Sequence, residues 1–453
     1  MINLNNKHIV VAGAARSGIA VALLIKNREG SVFVSDSGSI KPDLAKRLDD
    51  HSILYEENKH SKKAEDGDFL VLSPGIPTTS VIAQSYLTAG KSVYSEIEIA
   101  SWFNKSPIVA ITGSNGKTTV VNWMANTWKK ADRNFVLAGN VGTAFSEVVD
   151  QTDINREALL EISSFQLDHI DTFRPHVSAI LNITPDHLDR YNNDFEKYAQ
   201  SKLKITSNQT KEDWFIYNAD DPLLTEHAKS ISEKKNAPKL LAFSTENEVE
   251  QGVFIRNNEL IFKINHKEEI LMQIGEIGLP GKHNLKNGMA TALAARASEI
   301  KKKSLRESLQ QFEGVSHRLE TVRVLNGVRY INDSKATNIN AVWYALDSFE
   351  MPIVLILGGR DKGNDYLELE SQIREKVHTV VSIGEAKQNI KKQLEGVVPH
   401  LIEADTLKHA VKAARNQAKR GEIVLLSPAC SSFDMFENYE DRGNQFKQAV
   451  IEL

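Results

Sequence analysis

Hydrophobic residues in this chain gather in short β-branched runs, and three of those runs break into a Gly-containing turn followed by a helical pattern. The first is His8-Ile9-Val10-Val11-Ala12 before Gly13-Ala14-Ala15-Arg16-Ser17-Gly18, and the second is Ile108-Val109-Ala110-Ile111 before Thr112-Gly113-Ser114-Asn115-Gly116-Lys117. The third is Ile353-Val354-Leu355-Ile356-Leu357 before Gly358-Gly359-Arg360-Asp361-Lys362. Strand, turn and helix in that succession build parallel α/β sheets. Thr379 to Ile383 and Ile423 to Leu426 should extend the last sheet. Between residues 239 and 280 the rhythm changes: Val253-Phe254-Ile255 and Leu260-Ile261-Phe262 flank Asn257-Asn258, and Ile270-Leu271-Met272 follows. That pattern predicts a small antiparallel meander.

Boundaries are expected near Glu96-Ile97-Glu98 and near Glu313-Gly314-Val315, the latter after a helical stretch from Asn284 to Gln310. The expectation is three α/β domains, 1–97, 98–314 and 315–453: a Rossmann-like domain, a P-loop ATPase-like domain carrying the antiparallel insert, and a second Rossmann-like domain. Length agrees, since 453 residues at about 150 per domain give three. No strong repeat, low-complexity tract or heptad pattern interrupts them.

Charge removes some functions. With 55 Lys+Arg against 59 Asp+Glu, no chain-wide basic field exists to hold nucleic acid or an anionic membrane. The longest apolar runs fall far below the roughly 18 residues of a membrane span, and the opening residues lack the layout of a signal peptide. One cysteine, Cys430, cannot make an intrachain disulfide, which suits a reducing compartment. A cytoplasmic protein is expected.

The most specific local signal is Thr112-Gly113-Ser114-Asn115-Gly116-Lys117-Thr118-Thr119. A Gly-rich turn at a helix start offers backbone N–H groups to phosphate, Lys117 offers a point charge, and the Thr118 hydroxyl can ligate Mg²⁺. Ile111 stands where the first Gly of the full pattern would be. By contrast, Gly13 to Gly18 resembles a dinucleotide fingerprint with Ala15 in place of its middle Gly, and a methyl there obstructs close approach of a pyrophosphate. Redox NAD binding is therefore not expected, although another nucleotide could dock there with Asp36 near its ribose or base.

Glu161 closes Ala158-Leu159-Leu160, and His187 follows Ile180 to Ile183 within Thr184-Pro185-Asp186-His187-Leu188-Asp189. Carboxyl ends of parallel strands face the ligand crevice, so Glu161 and His187 are candidate ligands for one Mg²⁺ ion each. Gly281-Lys282-His283-Asn284-Leu285-Lys286-Asn287 opens a helix on which Asn284 and Asn287 share a face; Asn284 serves equally well as an N-cap. Ser316-His317-Arg318, Asn332 to Asn338 and Ser427 to Asp434 are polar clusters that, taken singly, read as loops.

Their order is more telling. T-G-S-N-G-K-T-T, E-I-S-S-F-Q-L, T-P-D-H-L-D-R-Y, G-K-H-N, S-H-R-L-E, N-D-S-K-A-T-N and S-P-A-C-S-S-F-D follow one another across residues 112 to 434, and the series resembles a Mur ligase over essentially the whole chain. N-D-S-K-A-T-N and S-P-A-C-S-S-F-D resemble the branch that adds D-glutamate to UDP-N-acetylmuramoyl-L-alanine. The resemblance implies a three-domain Mur ligase architecture for uridine nucleotide, ATP and amino acid in turn. It implies an ATP-dependent amide ligase working through an acyl phosphate in the cytoplasmic stage of peptidoglycan synthesis, with two Mg²⁺ ions, as a monomer.

Carried over residue by residue, the resemblance implies that Gly113, Ser114, Asn115, Gly116, Lys117, Thr118 and Thr119 bind ATP, with Asn287, Arg318 and Asp333 around it. It gives Thr118 and Glu161 to the first Mg²⁺, and His187 with a carbamylated Lys202 to the second. Lys117, His187 and Lys202 are the implied catalytic residues. Ala15, Arg16, Asp36, Ser37, Ser73, Pro74, Gly75 and Asn140 match the uridine-substrate side; Lys335, Thr337, Lys362, Ser432, Phe433 and Tyr439 match the D-glutamate side. The rivals are a folylpolyglutamate synthase-like ligase, another Mur ligase, an NAD-dependent oxidoreductase that explains only Gly13 to Asp36, and a nucleotide switch that leaves the C-terminal motifs without a use.

Overall fold

In the computed structural model, which describes residues 4–140, 142–361 and 363–453, three sheets form where the three βα openings lie. The first has five strands, all parallel, in the order Leu54–Glu56, Ser31–Ser35, His8–Ala12, Phe69–Leu72 and Val93–Ser95. Its central strand is apolar without alternation because helices cover both faces, and Ile9 to Ala12 are fully buried.

The second sheet has nine strands. Its parallel part runs Lys239–Ser244, Trp214–Asn218, Val177–Ile180, Ile108–Thr112, Arg156–Glu161 and Asn134–Gly139. The antiparallel meander is present as Gly252–Arg256, Glu259–Ile264 and Lys267–Gln273. It is continuous with the main sheet, because Gly252–Arg256 pairs in parallel with Lys239–Ser244.

Six strands make the third sheet: Glu320–Leu325, Val328–Asn332, Ile423–Leu426, Ile353–Gly358, Val377–Ile383 and His400–Glu403. Only the first pair is antiparallel. Ile423–Leu426 does not extend an edge; it lies in the middle, between Val328–Asn332 and Ile353–Gly358. The expected helical stretch from Asn284 to Gln310 is present as two helices, Lys282–Ala297 and Lys302–Gln311.

By packing, the chain divides into two units, 1–277 with 286–311 and 278–285 with 312–453. The first holds two sheets, joined through the short helix Glu96–Ser101. Glu98 is fully buried and accepts hydrogen bonds from the backbone N–H groups of Asp171, Thr172 and Phe173, each at 2.9 Å. Glu96 accepts from the Ser146 N–H and hydroxyl, both at 2.6 Å. In the second unit the core lies on both faces of the third sheet. Among the described residues no helix is long and apolar enough to cross a membrane.

Candidate functional site

The buried strand Ile108–Thr112 ends in the turn 113–116 and leads into the helix Lys117–Lys130. Ile111, the residue that breaks the loop pattern, belongs to the strand and pairs with Glu161 on one side and Ala179 on the other. The turn therefore starts later than the full pattern assumes. Gly116 has φ +89°, and a Cβ on it would overlap Asn287 Oδ1, so both conformation and space demand glycine. The turn is laced to the next strand end: Ser114 N–H donates to Asn182 O at 2.9 Å and Asn115 N–H to Asn182 Oδ1 at 2.9 Å. The Ser114 hydroxyl donates to Thr184 O at 2.7 Å and pairs with the Tyr198 hydroxyl at 2.9 Å.

Two lysines converge on one carbonyl. Lys117 Nζ donates to Gly113 O at 2.7 Å and to Ser114 O at 2.8 Å, while Lys202 Nζ donates to the same Gly113 O at 2.9 Å. Lys202 is only 2% exposed and lies over the Tyr198 ring, 4.8 Å from its centroid. Burial, reinforced by the Lys117 cation, pushes its amine well below the usual lysine range.

Glu161 ends its strand 2% exposed, and its Oε2 has no hydrogen-bond partner. Asn140 N–H donates to the Glu161 carbonyl at 2.8 Å, which brings that candidate to the same strand end. His187 takes a left-handed backbone, with its Nε2 3.8 Å from Asp186 Oδ2 and its ring edge-on to Phe165. Among the described residues no three of His, Cys, Asp and Glu gather as a metal-ligand set. Glu161 offers an unpartnered anionic oxygen and Thr118 a buried hydroxyl, donors of the kind Mg²⁺ takes.

At the turn of the first sheet, Asp36 acts within the protein. Its Oδ2 accepts from Ala14 N–H at 2.7 Å and its Oδ1 from Gly38 N–H at 2.8 Å. Ser73 donates to Gly13 O at 2.8 Å, and a Cβ on Gly18 would overlap that same carbonyl. The helix Arg16–Asn27 starts with Ala15 at its N-cap and no side-chain cap. Ala15, Arg16, Ser37 and Gly75 are exposed around this turn, with Pro74 half-buried.

The second unit gathers three of its motifs. Asp333 follows the strand Val328–Asn332 and is buried, accepting from Leu319 N–H at 3.2 Å and from the Ser427 hydroxyl at 2.8 Å. Burial pushes its carboxyl up to about 6 against the pull of Arg318. Lys335 Nζ donates to the Tyr439 hydroxyl at 3.0 Å and sits 4.8 Å from that ring's centroid. Ser432 is buried, Thr337 half-buried and Phe433 63% exposed; Lys362 lies outside the described residues. Asn284 is not an N-cap: the helix begins at Lys282, and the Asn284 amide donates back to Pro280 O at 2.8 Å.

Comparison with known sequences identifies the chain's relatives. It matches the MurD N-terminal domain over residues 9–82, the Mur ligase middle domain over 111–295, and the Mur ligase glutamate ligase domain over 317–430. It is 46% identical to the UDP-N-acetylmuramoylalanine–D-glutamate ligase of Salinibacter ruber, over 98% of this chain and 97% of that one. To the enzyme of the same name from Christiangramia forsetii it is 44% identical, over 99% and 100%. The chain belongs to the Mur ligase family.

It is accordingly an ATP-dependent ligase. Solved structures agree on the fold of this Mur ligase: a pseudomurein peptide ligase type C from Methanothermus fervidus aligns with a TM-score of 0.60 at 17% identity over 99% of each chain. The UDP-N-acetylmuramate–alanine ligase from Thermotoga maritima aligns at 0.59 and 16%, over 98% and 99%. Tyr198, one helical turn before Lys202 and part of the same Tyr-x-x-x-Lys-Leu pattern, joins that lysine to Ser114. The structure also brings forward a residue that the motifs left unremarked. Arg442 is fully buried in the helix Tyr439–Ile451 and donates to the Ser334 hydroxyl at 3.0 Å, Ser334 O at 2.8 Å and Cys430 O at 3.0 Å. No local pattern marks it.

Proposed function

We propose that this Mur ligase joins D-glutamate to UDP-N-acetylmuramoyl-L-alanine while ATP becomes ADP and phosphate. The observation that carries the reading is the convergence of Lys117 and Lys202 on the Gly113 carbonyl, beside the unpartnered Glu161 oxygen. Gly113 O and Ser114 O, which accept from the two amines, are neutral, so negative charge for the Lys117 cation is supplied by a bound polyphosphate.

In the proposed reaction a carboxylate oxygen of the uridine substrate attacks the γ-phosphorus, and the bond to ADP breaks. A carboxylate is a poor acyl donor until its oxygen becomes part of a phosphate leaving group. The deprotonated amine of D-glutamate then attacks the acyl carbon, and inorganic phosphate leaves the tetrahedral intermediate. Gly113 to Thr119 cradle the phosphates, Lys117 offsets charge on them, and Asn287, Arg318 and Asp333 surround the nucleotide. Ala15, Arg16, Asp36, Ser37, Ser73, Pro74, Gly75 and Asn140 take the uridine substrate. Lys335, Thr337, Lys362, Ser432, Phe433 and Tyr439 take D-glutamate.

Thr118, Glu161, His187 and a carbamylated Lys202 would hold two Mg²⁺ ions, which supply positive charge to the phosphates. Only a neutral amine reacts with CO₂, and burial beside Lys117 favours that form of Lys202. A carbamate keeps one N–H, so the bond to Gly113 O survives the modification. We place the functional domains at 1–97, 98–314 and 315–453 and the enzyme in the cytoplasm as a monomer, without a nucleic-acid or membrane partner.

An amino-acid panel assayed with ATP and UDP-N-acetylmuramoyl-L-alanine tests the reading. D-glutamate should give ADP, phosphate and a new amide, with L-glutamate, D-aspartate and D-alanine far behind. Equal use of L-glutamate, or ADP release independent of the uridine substrate, would overturn it.

A further inference from the structure

Arg190 closes the T-P-D-H-L-D-R-Y motif in the 3₁₀ turn Leu188–Tyr191, and the mechanism above gives it no task. Its guanidinium lies 4.6 Å from the centre of the Phe165 ring. Nη1 is buried and has no hydrogen-bond partner. The carboxylate of Asp168 lines the same place, its Oδ2 accepting from the Tyr191 hydroxyl at 2.9 Å. A guanidinium carries five N–H donors and no acceptor, so the buried, unpartnered Nη1 keeps donor capacity that a ligand oxygen can use.

The place it lines has a specific form. A crevice of about 20 Å³ runs between Ser73, Pro77 and Thr78 of the first sheet's loop and Phe165, His169 and Arg190 of the second sheet's loops. Two of its lining groups, the Thr78 hydroxyl and His169 Nε2, pair at 2.8 Å. About 10–15 Å³ admits one water-sized group, so the crevice takes a single oxygen. One wall, Ser73, is bonded to Gly13 O at the head of the helix Arg16–Asn27. The opposite wall carries Arg190, three residues after His187.

We propose that Arg190 binds an oxygen of the uridine substrate's diphosphate. This rests on the uridine-substrate reading above and assigns the residue that recognises the anionic middle of that substrate. A planar fork stacked on an aromatic face is a geometry arginine serves and lysine does not. Phe165 supplies that aromatic face.

The test is direct binding of UDP and of uridine to the full-length protein, with Arg190→Met and Arg190→Lys beside the native chain. Arg190→Met keeps an apolar stem on Phe165 and removes the charge. It should weaken UDP binding by about tenfold or more, as the loss of a charge-assisted contact does, and leave uridine affinity, the ATP KM and the melting temperature unchanged. Arg190→Lys should recover part of the loss, and the salt dependence of UDP binding should be shallower in Arg190→Met. Unchanged UDP affinity in Arg190→Met would overturn the proposal, as would parallel loss of uridine affinity and melting temperature, which marks a packing role. A native protein that binds neither UDP nor uridine would overturn the uridine-substrate reading itself, an outcome distinct from native binding that Arg190→Met leaves untouched.

Discussion

Two strand-turn-helix junctions in this Mur ligase look alike in sequence and are wired in opposite ways. At Gly13 to Gly18 the turn's polar groups are satisfied from inside: Asp36 takes the Ala14 N–H and Ser73 donates to the Gly13 carbonyl. At Gly113 to Lys117 the turn points its carbonyls at amines, and two of these, Lys117 and Lys202, share Gly113 O. The first turn is a finished structural unit with an anion at its centre. The second holds two amines close together in a buried place, where burial and the Lys117 cation disfavour charge on Lys202, an arrangement that in the proposed reading serves a carbamate beside a polyphosphate. A Gly-rich turn alone therefore does not specify a phosphate site; the sign of the charge built behind it does.

The contrast predicts crossed effects. Removing charge from the second turn should abolish ligation and spare stability; removing it from the first should lower stability and weaken binding of the uridine substrate, leaving the ATP side unchanged. The largest effect is expected at Lys202. Lys202→Met should be almost inactive in ligation, and Lys202→Ala should recover partly with formate or acetate in the vacated ligand position. Its stability should move the other way. Burial holds the folded-state amine below the ordinary value of 10.5, so the unfolded chain binds this proton more readily. The group's contribution therefore falls as pH drops through the depressed folded value and is regained only toward 10.5. In CO₂-free buffer, Lys202→Met should melt at or above the native temperature near neutral pH, with a flatter dependence on alkaline pH. A marked loss of melting temperature would end the contrast.

Lys117→Ala comes next, with a rate loss on the order of 10²-fold or more, typical of losing a transition-state charge contact. Binding of the uridine substrate, measured by titration, should be nearly intact, because that ligand is assigned to the other turn. Near-normal turnover would remove Lys117 from the mechanism.

Asp36→Ala is the mirror experiment. It strands the Ala14 and Gly38 N–H groups, at about 1–3 kcal/mol for a donor deprived of its partner, visible as a lower denaturation midpoint. The KM for the uridine substrate should rise and the ATP KM should not. A change in the ATP KM equal to that in the uridine KM would show that the two turns are not separate sites.

Local pattern made both turns and most strands readable, because β-branched runs and glycines report on nearest neighbours. What escaped depends on distant pairing. Nothing within Ile423–Leu426 says that it inserts between Val328–Asn332 and Ile353–Gly358, and nothing around Gly252 says that its strand lies parallel to Lys239–Ser244. The site shows the same division. The Gly113 to Lys117 turn and Lys202 are candidates that motif order makes visible, whereas Arg442 and Glu98 find partners on segments far along the chain. Both Asp36 oxygens bond backbone N–H groups, a use that only the folded turn reveals.

The smallest predicted effect separates two explanations of why the first turn is no dinucleotide site. The sequence suggests that the Ala15 methyl blocks a pyrophosphate; the structure adds that Asp36 already occupies the Ala14 N–H and would repel an anion there. Ala15→Gly isolates the methyl. Ala15 is an N-cap in extended backbone, with φ −83° and ψ −178° and no side-chain cap bond, so glycine fits the position, and stability should change by no more than about 0.5 kcal/mol. If Asp36 is the barrier, a calorimetric titration of Ala15→Gly with NAD should show no binding, as with the native chain. Micromolar NAD affinity in Ala15→Gly would assign the difference between the two turns to one methyl group and not to the charge behind them.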